Sequence, residues 1–206
     1  MVGVYAVKLL KSDGEAIVTA NGEEYRITIA DLEASAIQDG DVVEEIGLIF
    51  LTEASEKLAC IKKAFVYLSY RALPTRKLEQ KLKQAGFSET AIEKSIPLLI
   101  KKGYLNDDEL CFEYACALRD SKLFGASRLR KELYAKGFKR ETIETALDAV
   151  YADYDIETAV VSAINKKFSD FDKEDRLQRA KVVAYLYRLG YSYDDINNAI
   201  SAFEKE

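Results

Sequence analysis

The chain has 206 residues, of which 49% are hydrophobic and 32% charged, so it can bury a core and is not disordered by composition. It contains no histidine, which excludes Ser-His-Asp and Cys-His catalysis, histidine metal sites and histidine proton relays. We also find no Gly-rich phosphate loop, metal-ligand cluster or nucleophile–base pair. We therefore expect no enzyme, cofactor, metal or small-molecule substrate, although carboxylate-only and lysine-based chemistry stays open.

The net charge of −5 conceals a pattern along the chain. Residues 1–55 carry 3 basic and 11 acidic residues, residues 56–140 carry 19 and 10, and residues 141–206 carry 8 and 14. A basic middle between acidic ends indicates a directional surface for an anionic partner. The alternative is a chance distribution of solvated charges on helices.

The three cysteines, Cys60, Cys111 and Cys116, are odd in number and form no CxxC pair. Such a set is typical of small buried thiols in a reducing compartment. The first residues do not place a basic region before an apolar one, and the longest apolar run elsewhere lies around residues 47–51. We expect a cytoplasmic protein with no signal peptide, membrane span or membrane partner.

The first 30 residues have the patterns of β-strands. One β-prone run covers residues 2–10, and a second, over residues 17–20, leads into Asn21-Gly22. Asn-Gly between two such runs is the strongest short signal for a hairpin, because both central residues of a type I′ turn need positive φ. Residues 25–29 then alternate between apolar and polar. The sequence predicts a small antiparallel meander of three strands.

The next segment is less clear. Residues 31–37 are expected to form a short helix, followed by a turn over residues 38–41. Residues 42–51 fit either a strand or a helix, and we favour a strand.

A repeat begins near residue 56. Its anchors, Gly86, Gly137 and Gly190, lie 51 and 53 residues apart. An aromatic residue follows each glycine, and a leucine stands four positions before it, as in the pairs Leu82 and Phe87, Leu133 and Phe138, and Leu186 and Tyr191. A glycine just past a helix permits the left-handed conformation that ends it, and contact between such an aromatic and leucine closes a Schellman motif. We predict this closure in all three repeats.

Each unit is expected to contain three helices. Ser88 and Ser192 are placed to cap the helix after the glycine. A further helix precedes each pair, at about residues 59–70, 109–120 and 157–167. Because one unit cannot bury both of its apolar faces, neighbouring units must stack. We predict a mainly α fold in which three tandem three-helix repeats form a curved open array, with a β-rich region at 1–55 and repeats at 56–105, 106–155 and 156–206.

Four segments resemble the RecX regulatory proteins of bacteria: YLSYR at Tyr67–Arg71, KLEQKLKQAGF at Lys77–Phe87, KKGYLNDDEL at Lys101–Leu110 and GASRLRKELYAKGF at Gly125–Phe138. They stand in the family's order and at its spacing. The N-terminal hairpin followed by acidic residues also resembles the Gram-positive form. The resemblance covers nearly the whole chain and is specific over residues 65–140. After residue 150 it consists mainly of the repeat pattern.

The resemblance implies a regulator that binds the RecA recombinase, especially RecA polymerised on single-stranded DNA. Members of the family lie along the groove of that filament, inhibit ATP hydrolysis, strand exchange and LexA cleavage, and favour filament shrinkage. The acidic ends of this chain imply that single-stranded DNA is contacted only indirectly or weakly. The alternative is a helical-repeat nucleic-acid-binding protein without a recombinase partner, whose binding would weaken steeply with salt.

A basic face is the candidate partner site. Its members are Arg71, Arg76, Lys77, Lys81, Arg128, Arg130, Lys131 and Lys136. Lys77 and Lys81 share a helix face and suggest a compensating anion, whereas Arg128 and Arg130 point to different sides.

Each member of this face also has a structural alternative. Lys136 can serve the helix dipole, and Arg71, like Arg119, can cap carbonyls or pair with a carboxylate. The segment around Tyr104 is expected to be architectural, with Tyr104 buried and Asn106 capping a helix.

Overall fold

The computed structural model describes residues 4–12, 14–168 and 170–203. The chain divides into two compact units, residues 1–105 and residues 106–206. The expected boundary between residues 105 and 106 falls at this division, and the boundary between residues 155 and 156 remains a prediction. No helix in the described ranges is both long enough and apolar enough to cross a membrane.

The predicted meander is confirmed. Strands β2 to β4 pair in sequence order as an antiparallel sheet, and Asn21 and Gly22 both have positive φ, 55° and 76°. The first β-prone run divides at buried Val7, whose N–H donates to the Asp41 carbonyl at 2.8 Å. β1 therefore leaves the meander and pairs antiparallel with β5. The strands are β1 (Val4–Ala6), β2 (Lys8–Ser12), β3 (Glu15–Ala20), β4 (Glu23–Thr28) and β5 (Val42–Glu44).

Helix α1 (Ile29–Ser35) confirms the short helix that was expected near residues 31–37, and Thr28 caps it by accepting the N–H of Asp31. The preference for a strand over residues 42–51 is wrong beyond Glu44, because helix α2 runs over Glu45–Tyr70. Ile46 and Ile49 are 78% and 55% exposed. These isoleucines stand on the outer face of the helix and obscure its apolar stripe in the sequence.

Helix α2 joins the β region to the first repeat. It passes through residues 55 and 56, so the boundary expected there lies inside one helix, and the first helix of repeat 1 begins well before residue 59. Leu51 and Ala54 pack in the same core as the sheet, with Val18 and Ile27 among its buried residues. The sheet therefore covers the first half of α2 rather than forming an independent layer.

Three-helix repeats follow, as the sequence predicts. Repeat 1 contains α2, α3 (Thr75–Gln84) and α4 (Glu89–Lys101); repeat 2 contains α5 (Asp107–Lys122), α6 (Ala126–Lys136) and α7 (Arg140–Tyr151); repeat 3 contains α8 (Ile156–Lys167), α9 (Arg176–Leu189) and α10 (Tyr193–Ala202). Each repeat has its own buried apolar cluster.

The three helix-ending motifs form as predicted. Gly86, Gly137 and Gly190 have φ of 93°, 103° and 96°. The N–H of the following aromatic donates to the carbonyl of the predicted leucine at 3.3 Å in every repeat, which is the long hydrogen bond of a Schellman motif. Ser88 and Ser192 both cap the next helix through their side chains, and Ser192 forms a complete capping box with Asp195.

The turn between α4 and α5 differs from its predicted form at one residue. Asn106 caps α5 as expected, since its side chain accepts the N–H of Glu109 at 3.2 Å. Tyr104 is not buried: it is 52% exposed, and its ring meets Phe65 edge-on at 4.7 Å between centroids. The neighbouring Leu105 fills the core instead. Tyr104 and Leu105 are consecutive, and only one of the two side chains packs in the core. The smaller side chain, that of Leu105, does so.

Candidate partner-binding surface

The cations predicted in repeat 1 lie where α2 ends and α3 begins. Arg71 follows the last turn of α2 in extended conformation, and Arg76 stands in the first turn of α3. Both are exposed, and neither forms an ion pair within the described ranges. Lys77 donates to the side-chain oxygen of Gln80 at 3.3 Å. These three side chains leave positive charge available at one end of the helix pair.

Lys81 has an intramolecular partner that the sequence did not predict. Its Nζ lies 5.1 Å from the centroid of the Tyr67 ring, and Lys63 approaches the same ring at 5.3 Å. The negative face of an aromatic ring attracts ammonium groups. Lys81 thus packs against the ring of Tyr67 but keeps its positive charge, so the expected compensating anion remains a prediction.

Two arginines of repeat 2 are held by carboxylates. Arg128 pairs with Glu132 at 2.7 Å, four residues along α6. Arg130 forms a two-pronged pair with Glu144 of α7, with both hydrogen bonds at 2.7 Å. This pair raises the pKa of Arg130 and lowers that of Glu144. The two arginines reach different partners, as their spacing predicts, and Arg130 joins α6 to α7.

The lysines of α6 differ from each other. Lys131 is exposed and has no ion-pair partner among the residues described. Lys136 lies in the last turn of α6, and its Nζ stands 4.0 Å from the centroid of the Tyr114 ring. Lys136 therefore has a packing role in addition to its expected effect on the helix dipole.

A lysine–tyrosine contact joins the first two helices in every repeat. The pairs are Lys81 with Tyr67, Lys136 with Tyr114, and Lys167 with Tyr185, the last at 4.3 Å. Sequence reasoning missed these contacts because the residues do not occupy equivalent positions in the three repeats. Two of the eight predicted site residues, Lys81 and Lys136, take part in these contacts, and their role in partner binding remains a prediction.

Arg119 makes both kinds of structural contact that the sequence suggests, one with a carbonyl and one with a carboxylate. Its guanidinium pairs with Asp120, donates to the Val150 carbonyl at 2.7 Å and lies 4.6 Å from the Tyr154 ring centroid. The hydrogen bond spans 31 residues and fastens α5 to the last turn of α7.

Repeats 2 and 3 meet through backbone atoms. The Gly125 N–H donates to the Leu189 carbonyl at 2.9 Å, and the Ser127 N–H donates to the Gly190 carbonyl at 3.1 Å. Amides at the start of α6 thereby satisfy carbonyls at the end of α9, so opposite helix-dipole ends face each other.

Beside this joint lies a cleft of about 900 Å³ lined by α6, α7, the first residue of α8, α9 and α10. A second concave surface of about 710 Å³ is lined by α6 and the start of α7, and Arg130 and Lys131 line both. Neither concavity was predicted, because the first depends on contacts between repeats and the second on the packing angle between α6 and α7.

No group of three or more His, Cys, Asp or Glu residues in the described ranges is arranged to hold a metal ion. Cys60 and Cys111 are buried, Cys116 is partly exposed, and all three are free thiols. Burial raises the pKa of Cys60 and raises that of Cys111 to about 11. A raised pKa keeps a thiol protonated and therefore weakly nucleophilic at neutral pH.

Known proteins resemble this chain over most of its length. Residues 154–200 match the third three-helix domain of RecX. Regulatory protein RecX of Bacillus licheniformis is 27% identical over 201 residues, covering 95% of this chain and 75% of the relative. Regulatory protein RecX of Bacillus subtilis is 29% identical over 172 residues, covering 82% of this chain, which spans 64% of that relative.

A crystal structure of regulatory protein RecX has the same fold, with a TM-score of 0.75 at 17% identity, covering 98% of this chain and all of the other. The ordered three-helix repeats, the N-terminal sheet and these matches agree. The chain is therefore similar to RecX regulatory proteins over most of its length, and residues 154–200 match their third three-helix domain.

Proposed function

We propose that this chain is a cytoplasmic regulator that binds RecA and RecA–single-stranded DNA filaments and inhibits their recombinase, ATPase and coprotease activities. The observation that carries the proposal is its similarity to RecX regulatory proteins over 95% of its length. Regulation in this proposal is by binding, and no catalytic residue is assigned.

The charge distribution supports a filament as the target. Residues 56–105 contain 11 basic and four acidic residues, the most positive stretch of the chain. In this segment Arg71 and Arg76 are exposed and have no ion-pair partner among the described residues. A filament presents acidic protein surface and phosphate together, and positive charge favours approach to both.

A second candidate is a nucleic-acid-binding protein that needs no recombinase. The same positive stretch favours it, since cations that face phosphates are sufficient for binding without sequence preference. Gel-shift titration on bare single strands over a salt series separates the two. We expect weak binding to bare DNA and tighter binding to filaments; equal affinity for both would favour the second candidate.

The direct test is the ATPase activity of purified RecA on single-stranded DNA, titrated with this protein. We expect inhibition below one regulator per RecA monomer, which is typical of end-capping or spaced groove binding. An ATPase rate that stays unchanged at a molar excess would contradict the proposal.

The contribution of repeat 1 can be isolated with the variant R71E/R76E/K77E. The matched control, K8E/K11E/R26E, makes the same change in net charge on exposed strand residues of the N-terminal region. We expect at least about tenfold weaker inhibition from the first variant, because several charge contacts to the filament reverse sign. Equal inhibition by both variants, with unchanged helicity, would exclude this basic surface.

A further inference from the structure

The hydroxyl of Tyr191 has no structural task that the fold explains. Tyr191 is 4% exposed, and its hydroxyl is buried without a hydrogen-bond partner among the residues described. The equivalent positions of the other repeats hold Phe87 and Phe138, which close the same motif without a hydroxyl. The helix end therefore needs the ring of Tyr191 and not its oxygen.

An unpaired buried hydroxyl is unfavourable, because it has lost its hydrogen bonds to water. Burial also raises the pKa of Tyr191, so the phenol stays neutral and can donate a hydrogen bond. The nearby Tyr151 provides a contrast, since its hydroxyl donates to the Phe124 carbonyl at 2.6 Å. Only Tyr191 lacks such a partner among the described buried side chains.

Tyr191 lines the 900 Å³ cleft of the second unit, together with the apolar side chains of Leu147 and Ile156 and the ring of Tyr151. The exposed ring of Tyr187 also lines it. The cleft thus has a largely apolar lining that includes Tyr191, whose hydroxyl is buried and unpartnered among the described residues.

Two of the six charged side chains that line the cleft are held in ion pairs within the chain. Arg128 pairs with Glu132, Arg130 with Glu144, and the Asp195 carboxylate caps α10 through Ser192. Asp148 raises the pKa of Arg130 and so lies within its electrostatic reach. Two exposed lining cations, Lys131 and Arg188, have no ion pair in the described ranges.

We infer that this cleft binds an acidic peptide segment of a protein partner, with an apolar side chain against Leu147 and Ile156 and carboxylates facing Lys131 and Arg188. Binding of the segment uncovers the Tyr191 hydroxyl, which is buried in the free chain, and the hydroxyl then donates a hydrogen bond to an oxygen of the segment. The apolar lining favours a peptide, which can place an aliphatic side chain against it, over a nucleic-acid strand. Asp148 and Asp195 repel carboxylates and phosphates alike and do not distinguish the two. The inference rests on the proposed function only for the identity of the partner.

Fluorescence anisotropy on the full chain tests the inference. The probes are a fluorescein-labelled peptide of alternating Glu and Leu, a Lys and Leu peptide of equal length, overlapping labelled peptides that cover RecA, and labelled oligo(dT). We expect the Glu and Leu peptide and the acidic apolar peptides of RecA to bind, and the Lys and Leu peptide not to bind.

Two variants locate the binding. K131E/R188E is expected to bind the acidic peptides at least about tenfold more weakly, because two attractive contacts become repulsive. Its control, K139E/K181E, makes the same charge change at exposed residues outside the cleft and should bind normally. Y191F should bind about three- to tenfold more weakly, as expected for one lost hydrogen bond. Its Tm should be unchanged or higher, since the unpaired hydroxyl is gone.

Acidic peptides that fail to bind, or that bind all variants equally, would overturn the inference. The chain could instead bind oligo(dT) and no peptide, and lose this binding only in K131E/R188E. That result would make the cleft a nucleic-acid site and would also overturn the inference. RecA inhibition is measured in a separate assay. If the chain inhibits RecA but binds no peptide, the inference about the cleft is wrong and the proposed function stands. If the chain binds the peptides but does not inhibit RecA, the cleft is a peptide site and the proposed function is wrong.

Discussion

Gly125 and Gly190 meet so closely that neither position has room for a side chain. A Cβ added to Gly125 would lie 2.5 Å from the carbonyl carbon and oxygen of Gly190, and one added to Gly190 would lie 2.3 Å from the Arg128 nitrogen. The obstructing atoms are mainly backbone, which cannot rotate away. This contact positions α6 against the end of α9 and so shapes the cleft between repeats 2 and 3.

The variants G125A and G190A should both be destabilised, but for different reasons. Gly125 has φ of −78°, so alanine suffers only the overlap, which we expect to cost about 2 kcal/mol. Gly190 has φ of 96°, so left-handed strain adds to the overlap, and the cost should reach about 3 kcal/mol or more. Denaturant unfolding monitored by circular dichroism measures both.

G86A is the control that measures left-handed backbone strain without steric overlap. Gly86 has φ of 93° and no atom within 4 Å of an added Cβ, so its replacement should cost about 1–2 kcal/mol. If G190A were no more destabilising than G86A, the close approach of the two repeats would not constrain the fold.

The contrast between these glycines also shows what the sequence can reveal. Gly86 and Gly190 are recognisable because a helix end is local: the glycine, the aromatic after it and the leucine before it lie within one short segment. The importance of Gly125 depends on a residue 65 positions away, and the pattern around it shows no sign of that neighbour. The repeats could therefore be predicted, whereas the joint between repeats 2 and 3 could not.

The candidate site has the same limit. Exposed cations such as Arg71 and Arg76 were identifiable as charged helix-end residues. The sequence could not show that Arg130 is held by Glu144, or that Lys81 packs against Tyr67, because each partner belongs to another helix. Charge composition predicts the sign of a surface, and only packing decides which charges are available to a partner.

The Arg130–Glu144 pair allows structural and partner-binding roles to be separated. The pair is about half exposed, so R130A should lower stability by only about 0.5–1 kcal/mol, and E144A by a similar amount. A double-mutant cycle in guanidinium chloride should give a coupling of this size. E144A also releases the Arg130 guanidinium.

The same two variants should act differently on a filament if Arg130 contacts it. We expect R130A to weaken RecA inhibition and E144A to leave it unchanged or strengthen it. Equal loss of inhibition in both would assign Arg130 to the structural pair alone.

Asp31 and Lys57 should contribute more to stability than the exposed pairs. They form an ion pair between α1 and α2, and their side chains are only 16% and 15% exposed. D31A leaves a largely buried ammonium unpaired and also removes the acceptor for the Thr28 hydroxyl, so we expect a loss of about 2–3 kcal/mol. D31A/K57M should be less destabilised than D31A in thermal unfolding. A double variant as unstable as the sum of the single variants would contradict this coupling.

Stability should fall in alkali because buried thiols and phenols keep their protons in the folded state. Burial raises the pKa of Cys111 to about 11 and also raises that of Cys60, whereas a thiol in an unfolded chain ionises near about 8.5. The stability that this pKa difference contributes is fully present at pH values below the pKa of the thiol in the unfolded chain. It is lost as the pH rises toward the pKa of the thiol in the folded protein. Tyr151 and Tyr191, with pKa values also raised by burial, act in the same direction above about pH 10.

The free energy of unfolding should fall by at most about 1.4 kcal/mol per pH unit for each of these groups. Replacing both buried thiols in C60A/C111A should leave stability nearly constant up to about pH 10, although small cavities lower it by a similar amount at every pH. Guanidinium chloride midpoints between pH 8 and pH 11 give the slope. A variant whose stability still declined from about pH 8.5, in parallel with the original chain, would show that the thiols do not cause the first part of the loss.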